Sequence, residues 1–137
     1  MRIAISGTAC QGKTTLIKDF LEQWPVYSTP KKTYRDIITE NNLEHSSKTN
    51  KKTQWDILNF QIKELSKYRV EDNIIFDRCP LDNLVYSIWS AEQTDSDIDD
   101  EFINKCLPLV RESFRNLDII FFTPITKVAE VPLEEDG

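Results

Sequence analysis

Glycine is scarce, with three residues among 137, so low-complexity tracts and glycine-rich linkers are excluded and each glycine is placed rather than scattered. Cysteine is also sparse. Cys10, Cys79 and Cys106 are odd in number and lack paired spacing, which excludes a disulfide framework and a zinc site and leaves reduced thiols as the expectation. Cys10 and Cys79 are read as small loop residues in preference to a redox switch. No apolar run reaches membrane-spanning length, and the N-terminus lacks the charged, apolar, then small pattern of a secretory signal. There is no basic excess either. A net charge of −6 and a pI near 4.8 argue against a general nucleic-acid coat. Without repeats or a second-domain linker, the expectation is one compact, soluble, cytoplasmic α/β domain over residues 1–137, with 39% hydrophobic residues for its core.

Two of the three glycines lie in one stretch, Gly7-Thr8-Ala9-Cys10-Gln11-Gly12-Lys13-Thr14. This is GxxxxGKT, the loop whose backbone amides cradle phosphates. Its context is the one the loop requires. An apolar strand, Arg2 to Ser6, precedes it, and an amphipathic helix from about Lys13 to Trp24 follows, with Leu16, Ile17, Phe20, Leu21 and Trp24 at three- and four-residue steps. Unpaired N–H groups and the dipole at the helix start favour phosphate oxygens. Lys13 should reach the β- and γ-phosphates, the Thr14 hydroxyl should complete Mg²⁺ coordination, and Thr15 should support the α-phosphate region or cap the helix. The ligand expected is a nucleoside triphosphate.

Further on, Pro25 to Ser28 is a short candidate strand ended by Thr29-Pro30, with a short helix around Tyr34 to Glu40. A longer helix is predicted over Thr53 to Tyr68, its seam formed by Trp55, Leu58, Ile62 and Leu65. Gln54, Asn59, Gln61 and Lys63 fall off that seam. Gln61 reads by default as a surface residue, although its amide can serve both donor and acceptor edges of a nucleobase. Asn73 to Asp77 is too short and apolar for a helix and predicts a buried parallel strand, followed by Pro80 at a helix start. The next helix should pack on the sheet through Leu81, Leu84, Val85, Ile88 and Trp89. A helix over about Asp100 to Asn116 should kink or restart at Pro108, and Asp118 to Thr123 should be another buried strand ended by Pro124. Such alternation implies a parallel sheet with ligand at the carboxyl ends of its strands.

An acid closing a strand in a P-loop fold faces the phosphate loop and holds the metal or its water, which makes Asp77 the candidate. Arg78 should then sit at the mouth of the site, toward an acceptor oxygen or the transferring phosphoryl group. Charge distribution adds a second candidate surface. Lys31, Lys32, Arg35, Lys48, Lys51 and Lys52 outnumber Asp36, Glu40 and Glu44, six to three, and this segment could dock an anion. The acidic stretch Glu92 to Glu101 has no neighbouring base and reads as a solvated loop; it lacks the glycine and terminal glutamate of an EF-hand.

GTACQGKTTL, IIFDRCPLDNLVYS and LDIIFFTP together resemble the small P-loop kinases, in the nucleoside and nucleotide kinase branch that includes thymidylate and deoxynucleoside kinases and ribosylnicotinamide-kinase-like ATPases of phages. The resemblance covers the three strands well and residues 30–70 poorly. It implies a three-layer P-loop fold with a mostly parallel sheet flanked by helices. It also implies ATP and Mg²⁺ as cofactors, Lys13 and Thr14 on phosphate and metal, Asp77 as metal holder or base, Arg78 at the acceptor, and Gln61 at a base edge.

Two departures from the family pattern matter. Deoxynucleoside kinases place a carboxylate after the second strand to take the hydroxyl proton, where this chain has Ser28-Thr29-Pro30; the nearest acid is Asp36. A phosphate acceptor needs no such base, which tilts the expectation toward a nucleoside monophosphate docked on the basic segment through Arg35. Family members also continue into an arginine-bearing lid, final strand and helix, whereas Lys127 to Gly137 brings one lysine and four acids. The expectation is therefore a C-terminally incomplete kinase-like domain, or a site completed by a second copy or another partner. Phosphoryl transfer to a nucleoside, nucleotide or similar small acceptor is the leading reading. A nucleotide-binding regulatory or assembly module without transfer is the alternative. A GTPase switch lacks its DxxG and NKxD-like segments.

Overall fold

The computed structural model describes residues 1–8, 11–42 and 49–125. Ala9 and Cys10 of the loop, Glu44 and Lys48 of the basic segment, and the tail from Lys127 lie outside these described residues. The order of elements is β1 (Arg2–Ser6), α1 (Lys13–Gln23), α2 (Tyr34–Asn41), α3 (Lys51–Ser66), β2 (Ile74–Asp77), α4 (Pro80–Gln93), α5 (Asp100–Ser113) and β3 (Ile119–Phe122). The strands form a parallel sheet in the order β2-β1-β3. β1 is central, with Ile5 opposite Asp77 on one side and Phe121 on the other. All three strands therefore end together at one edge of the sheet, where the loop after β1 begins.

Because side chains alternate along a strand, the sheet supplies two cores. Ile3, Ile5 and Ile75 pack with Ile17, Phe20 and Leu21 of α1. Ala4, Ile74 and Phe76 pack on the opposite face with Leu65 of α3 and Cys79. A third core is wholly helical, formed by Leu58, Leu84, Ile98, Phe102, Cys106 and Val110. The three-layer α/β reading is borne out.

Several local expectations are corrected. The candidate strand at Pro25–Ser28 shrinks to one parallel bridge, Ser28 to Ile74, beyond β2. β3 is less buried than expected, with Phe122 68% exposed; among the described residues it pairs with β1 alone. α5 runs through Pro108 and ends in a 3-10 turn, Phe114–Asn116. Its start explains part of the acidic stretch. Asp99 caps the helix by accepting from Phe102 N at 2.9 Å, and Asp100 and Glu101 in the first turn complement the helix dipole. Nor is that stretch without a base, since Lys51 Nζ lies 2.8 Å from Asp99.

The largest correction concerns α4. Its buried face carries Pro80, Asn83, Leu84, Ser87 and Ser90; of the expected apolar stripe Leu84 is buried, while Val85, Ile88 and Trp89 point out, Val85 56% and Trp89 46% exposed. α4 packs on α3 and α5; its first turn reaches the sheet core through Leu81. Gln54, expected off the seam of α3, is buried. It donates to Thr49 Oγ1 at 2.7 Å and accepts from Asn83 Nδ2 at 2.9 Å. Polar pairing thus sets the rotation of α4 against its apolar periodicity, since a buried amide left unpaired would cost about 1–3 kcal/mol.

Candidate active site

At the carboxyl edge of the sheet, Ser6 and Gly7 are held from both neighbouring strands. On the β3 side, Thr123 N and Oγ1 donate to Ser6 O at 2.9 and 3.1 Å. On the β2 side, Asp82 Oδ1 accepts from Ser6 Oγ and Gly7 N, each at 2.9 Å. Gly7 has φ 145°, and a Cβ there would lie 2.2 Å from Thr123 Oγ1. Packing and backbone conformation both require glycine. Gly12 differs. Its φ of 76° is left-handed, but a Cβ there would meet nothing within 4 Å among the described residues, so its requirement is conformational.

Gly12 is also the N-cap of α1, with no side-chain cap and no acid in the first turn. Among the described residues, no N-cap side chain satisfies the first N–H groups of α1, the condition under which a helix start receives an anion. Gly7 N, by contrast, is engaged by Asp82.

Lys13 is 5% exposed, and its Nζ donates to the carbonyl of Thr8 within the loop itself. Burial and the neighbouring Arg78 guanidinium push its pKa below the ordinary lysine value, partly opposed by Asp77 and Asp82. A polyphosphate would reverse that imbalance, since an anion favours the charged ammonium. Arg35 is near enough to contribute to the same depression. Asp77 and Arg78 close β2 as expected. Arg78 adopts a left-handed φ of 72°, with its N–H on Ile5 O at 2.9 Å and Nη1 on Gly7 O at 3.3 Å.

A cavity of about 230 Å³ opens beside this edge, lined by Thr14, Thr29, Thr33, Gln61, Glu64, Asp77 and Arg78 among others. Asp77 Oδ1 and Gln61 Oε1 are buried with no hydrogen-bond partner among the described residues. Such groups carry a desolvation cost that a ligand can relieve. Thr14 and Asp77, both hard oxygen donors lining one cavity, fit Mg²⁺ held jointly with phosphates. Among the described residues, no group of three or more His, Cys, Asp or Glu could hold a metal by itself.

Of the predicted residues, Lys13, Thr14, Gln61, Asp77 and Arg78 converge here. Asp36 does not line the cavity: its carboxylate accepts from Thr33 N at 2.7 Å, capping α2. In the basic segment, three of the lysines are engaged by acids. Lys32 pairs with Glu40 at 2.9 Å, Lys51 with Asp99 and Lys52 with Asp56 at 2.7 Å. Thr15 is exposed on α1. Cys79 is buried and its thiol is pushed up to about 12 by desolvation, which removes any thiolate chemistry from it. The sequence reading missed Asp82, Thr123 and Glu64. Asp82 carried a visible signal, standing three residues after Cys79 at a helix start as a capping acid does. Thr123 and Glu64 gave none.

A family model described as "AAA domain" matches residues 2–137. The chain belongs to this AAA domain family of P-loop NTPases. No curated protein matches it. Among solved structures, the deoxyadenosine kinase from M. mycoides with the products dCMP and a flexible dCDP is similar at 23% identity and TM-score 0.66, over 92% of this chain and 65% of that one. The same enzyme with bound dATP is similar at 21% identity and TM-score 0.52, over 90% and 64%. The chain therefore spans about two thirds of that kinase's length and shares its fold. In the described residues of this AAA domain protein, no helix is long and apolar enough to cross a membrane.

Proposed function

We propose that this AAA domain protein binds ATP with Mg²⁺ at the Gly7–Thr14 loop and transfers the γ-phosphoryl group to a hydroxyl of a small nucleoside-like acceptor. The observation that carries the reading is the single cavity lined jointly by Thr14 beside the loop, Asp77–Arg78 at the end of β2, and Gln61 and Glu64 on α3. Lys13 would meet the β- and γ-phosphates, and Thr14 and Asp77 would hold Mg²⁺, which would supply charge neutralisation there. Arg78 faces the transferring group, while Gln61, with an unsatisfied Oε1, takes a donor edge of the acceptor.

A hydroxyl acceptor is favoured over a monophosphate on electrostatic grounds. Asp77 and Glu64, the latter paired with Lys67, line the cavity against one arginine, Arg78, and Lys32, Lys51 and Lys52 of the basic segment are each paired with an acid. A carboxylate in the cavity can also accept the hydroxyl proton, the task for which Asp36 was the nearest sequence candidate. The M. mycoides enzyme named above is a deoxyadenosine kinase, which agrees with a nucleoside-like acceptor.

A second reading is nucleotide binding without transfer. It rests on Arg78 being the one arginine that lines the cavity among the described residues, since cationic stabilisation of the transition state contributes about 10³-fold or more in related chemistry. A coupled assay of ADP release against a panel of deoxynucleosides and monophosphates separates the two. Mg²⁺-dependent ADP release that requires a nucleoside supports transfer. Hydrolysis indifferent to every acceptor, or no turnover, contradicts it.

A further inference from the structure

We propose that Asp82 is a positioning residue that sets the triphosphate loop and the acceptor-side arginine by one carboxylate, an inference that rests on the phosphate-loop reading above. Oδ1 takes the Ser6 hydroxyl and the Gly7 N–H, and Oδ2 takes Cys79 N at 2.9 Å. Its three donors come from the ends of two adjacent parallel strands. Between those anchors stands Arg78, a non-glycine residue at φ 72°, a conformation that persists only where the surroundings over-determine it. The surroundings do so here. Arg78 N is held by Ile5 O, the next N–H by Asp82, and Nη1 by Gly7 O. The carbonyl that receives Arg78 belongs to the residue whose N–H Asp82 holds, so the aim of the guanidinium and the start of the loop form one hydrogen-bonded unit.

Charge and position make opposite predictions for this residue. Asp82 is close enough to Lys13 to raise its pKa, so a purely Coulombic neighbour would repel polyphosphate, and neutralising it would tighten binding. A positioning carboxylate does the reverse. Asp82→Asn keeps the size but loses acceptor capacity, because its NH₂ cannot accept from an N–H; the loop start and Arg78 loosen and polyphosphate affinity falls.

The test is calorimetric titration of the full chain with Mg·AMP-PNP, alongside thermal unfolding of the same samples. Wild type is read first. Asp82→Asn is expected to weaken AMP-PNP binding about 10-fold or more while remaining folded, and Ser6→Ala, which removes one of the three donors, about 2- to 5-fold. Wild-type binding with unchanged or tighter binding in Asp82→Asn overturns the positioning role and leaves the loop assignment intact. If Asp82→Asn does not fold, Ser6→Ala decides: weaker binding supports the role and equal binding overturns it. A wild type that fails to bind AMP-PNP removes the loop assignment and the role of Asp82 together.

Discussion

The two sides of the candidate site are built differently. At the loop start, Ser6, Gly7, Arg78 and Asp82 all have partners, and Gly7 is wedged against Thr123. Elsewhere in the cavity lining, Gln61 Oε1 and Asp77 Oδ1 are buried without partners among the described residues. One side is fixed before any ligand arrives, as preorganised electrostatic sites are. The other side is left to be completed by ligand atoms. The contrast predicts that changes on the fixed side cost stability or nucleotide affinity, and changes on the open side cost turnover or acceptor affinity.

The sharpest break in that contrast is Lys13→Met. It should lower triphosphate affinity about 100-fold or more while leaving the fold at least as resistant to heat, because burial and Arg78 oppose its charge in the folded state. Titration with Mg·ATP and thermal unfolding of one sample check both halves. Gly7→Ala, on the fixed side, should destabilise by about 2–4 kcal/mol, since its Cβ would lie 2.2 Å from Thr123 Oγ1 at a φ that alanine disfavours. Urea denaturation reads this, and a wild-type midpoint would show that the wedge is absent.

Asp77→Asn should reduce Mg²⁺-dependent turnover about 10-fold or more while changing nucleotide affinity little. Gln61→Leu should raise the acceptor KM about 10-fold with ATP affinity unchanged, and stabilise the fold by about 1 kcal/mol by removing an unsatisfied buried oxygen. Equal losses for ATP and acceptor would erase the distinction between the two sides. The smallest effect concerns pH. Arg2 holds the Asp118 carboxyl below its ordinary value, so its contribution is present above the ordinary carboxylate range and is lost as pH falls through the lowered folded value. Stability of wild type should decline more steeply below about pH 4 than that of Asp118→Asn.

Much of this fold was legible because its signals are local. Arg2 to Ser6, Asn73 to Asp77 and Asp118 to Thr123 read as strands from short apolar runs, and the GxxxxGKT spacing located the loop. The rotation of α4 was not legible. Val85, Ile88 and Trp89 form a convincing stripe, but Asp82 at the helix start and the Asn83–Gln54 bond turn it outward, and both are contacts between segments distant in sequence. Gly7 shows the same limit in reverse. The motif required it, but its packing reason, Thr123, lies more than a hundred residues away. Glu64 was invisible because nothing in its helical position separates a cavity carboxylate from a surface one.

The central claim is tested most directly by ¹⁵N amide spectra of the chain titrated with Mg·AMP-PNP. Saturable shifts largest at Gly12, Lys13 and Thr14, absent in Lys13→Met, are the predicted result. Silent loop amides, or shifts confined to residues far from the carboxyl edge of the sheet, would contradict it.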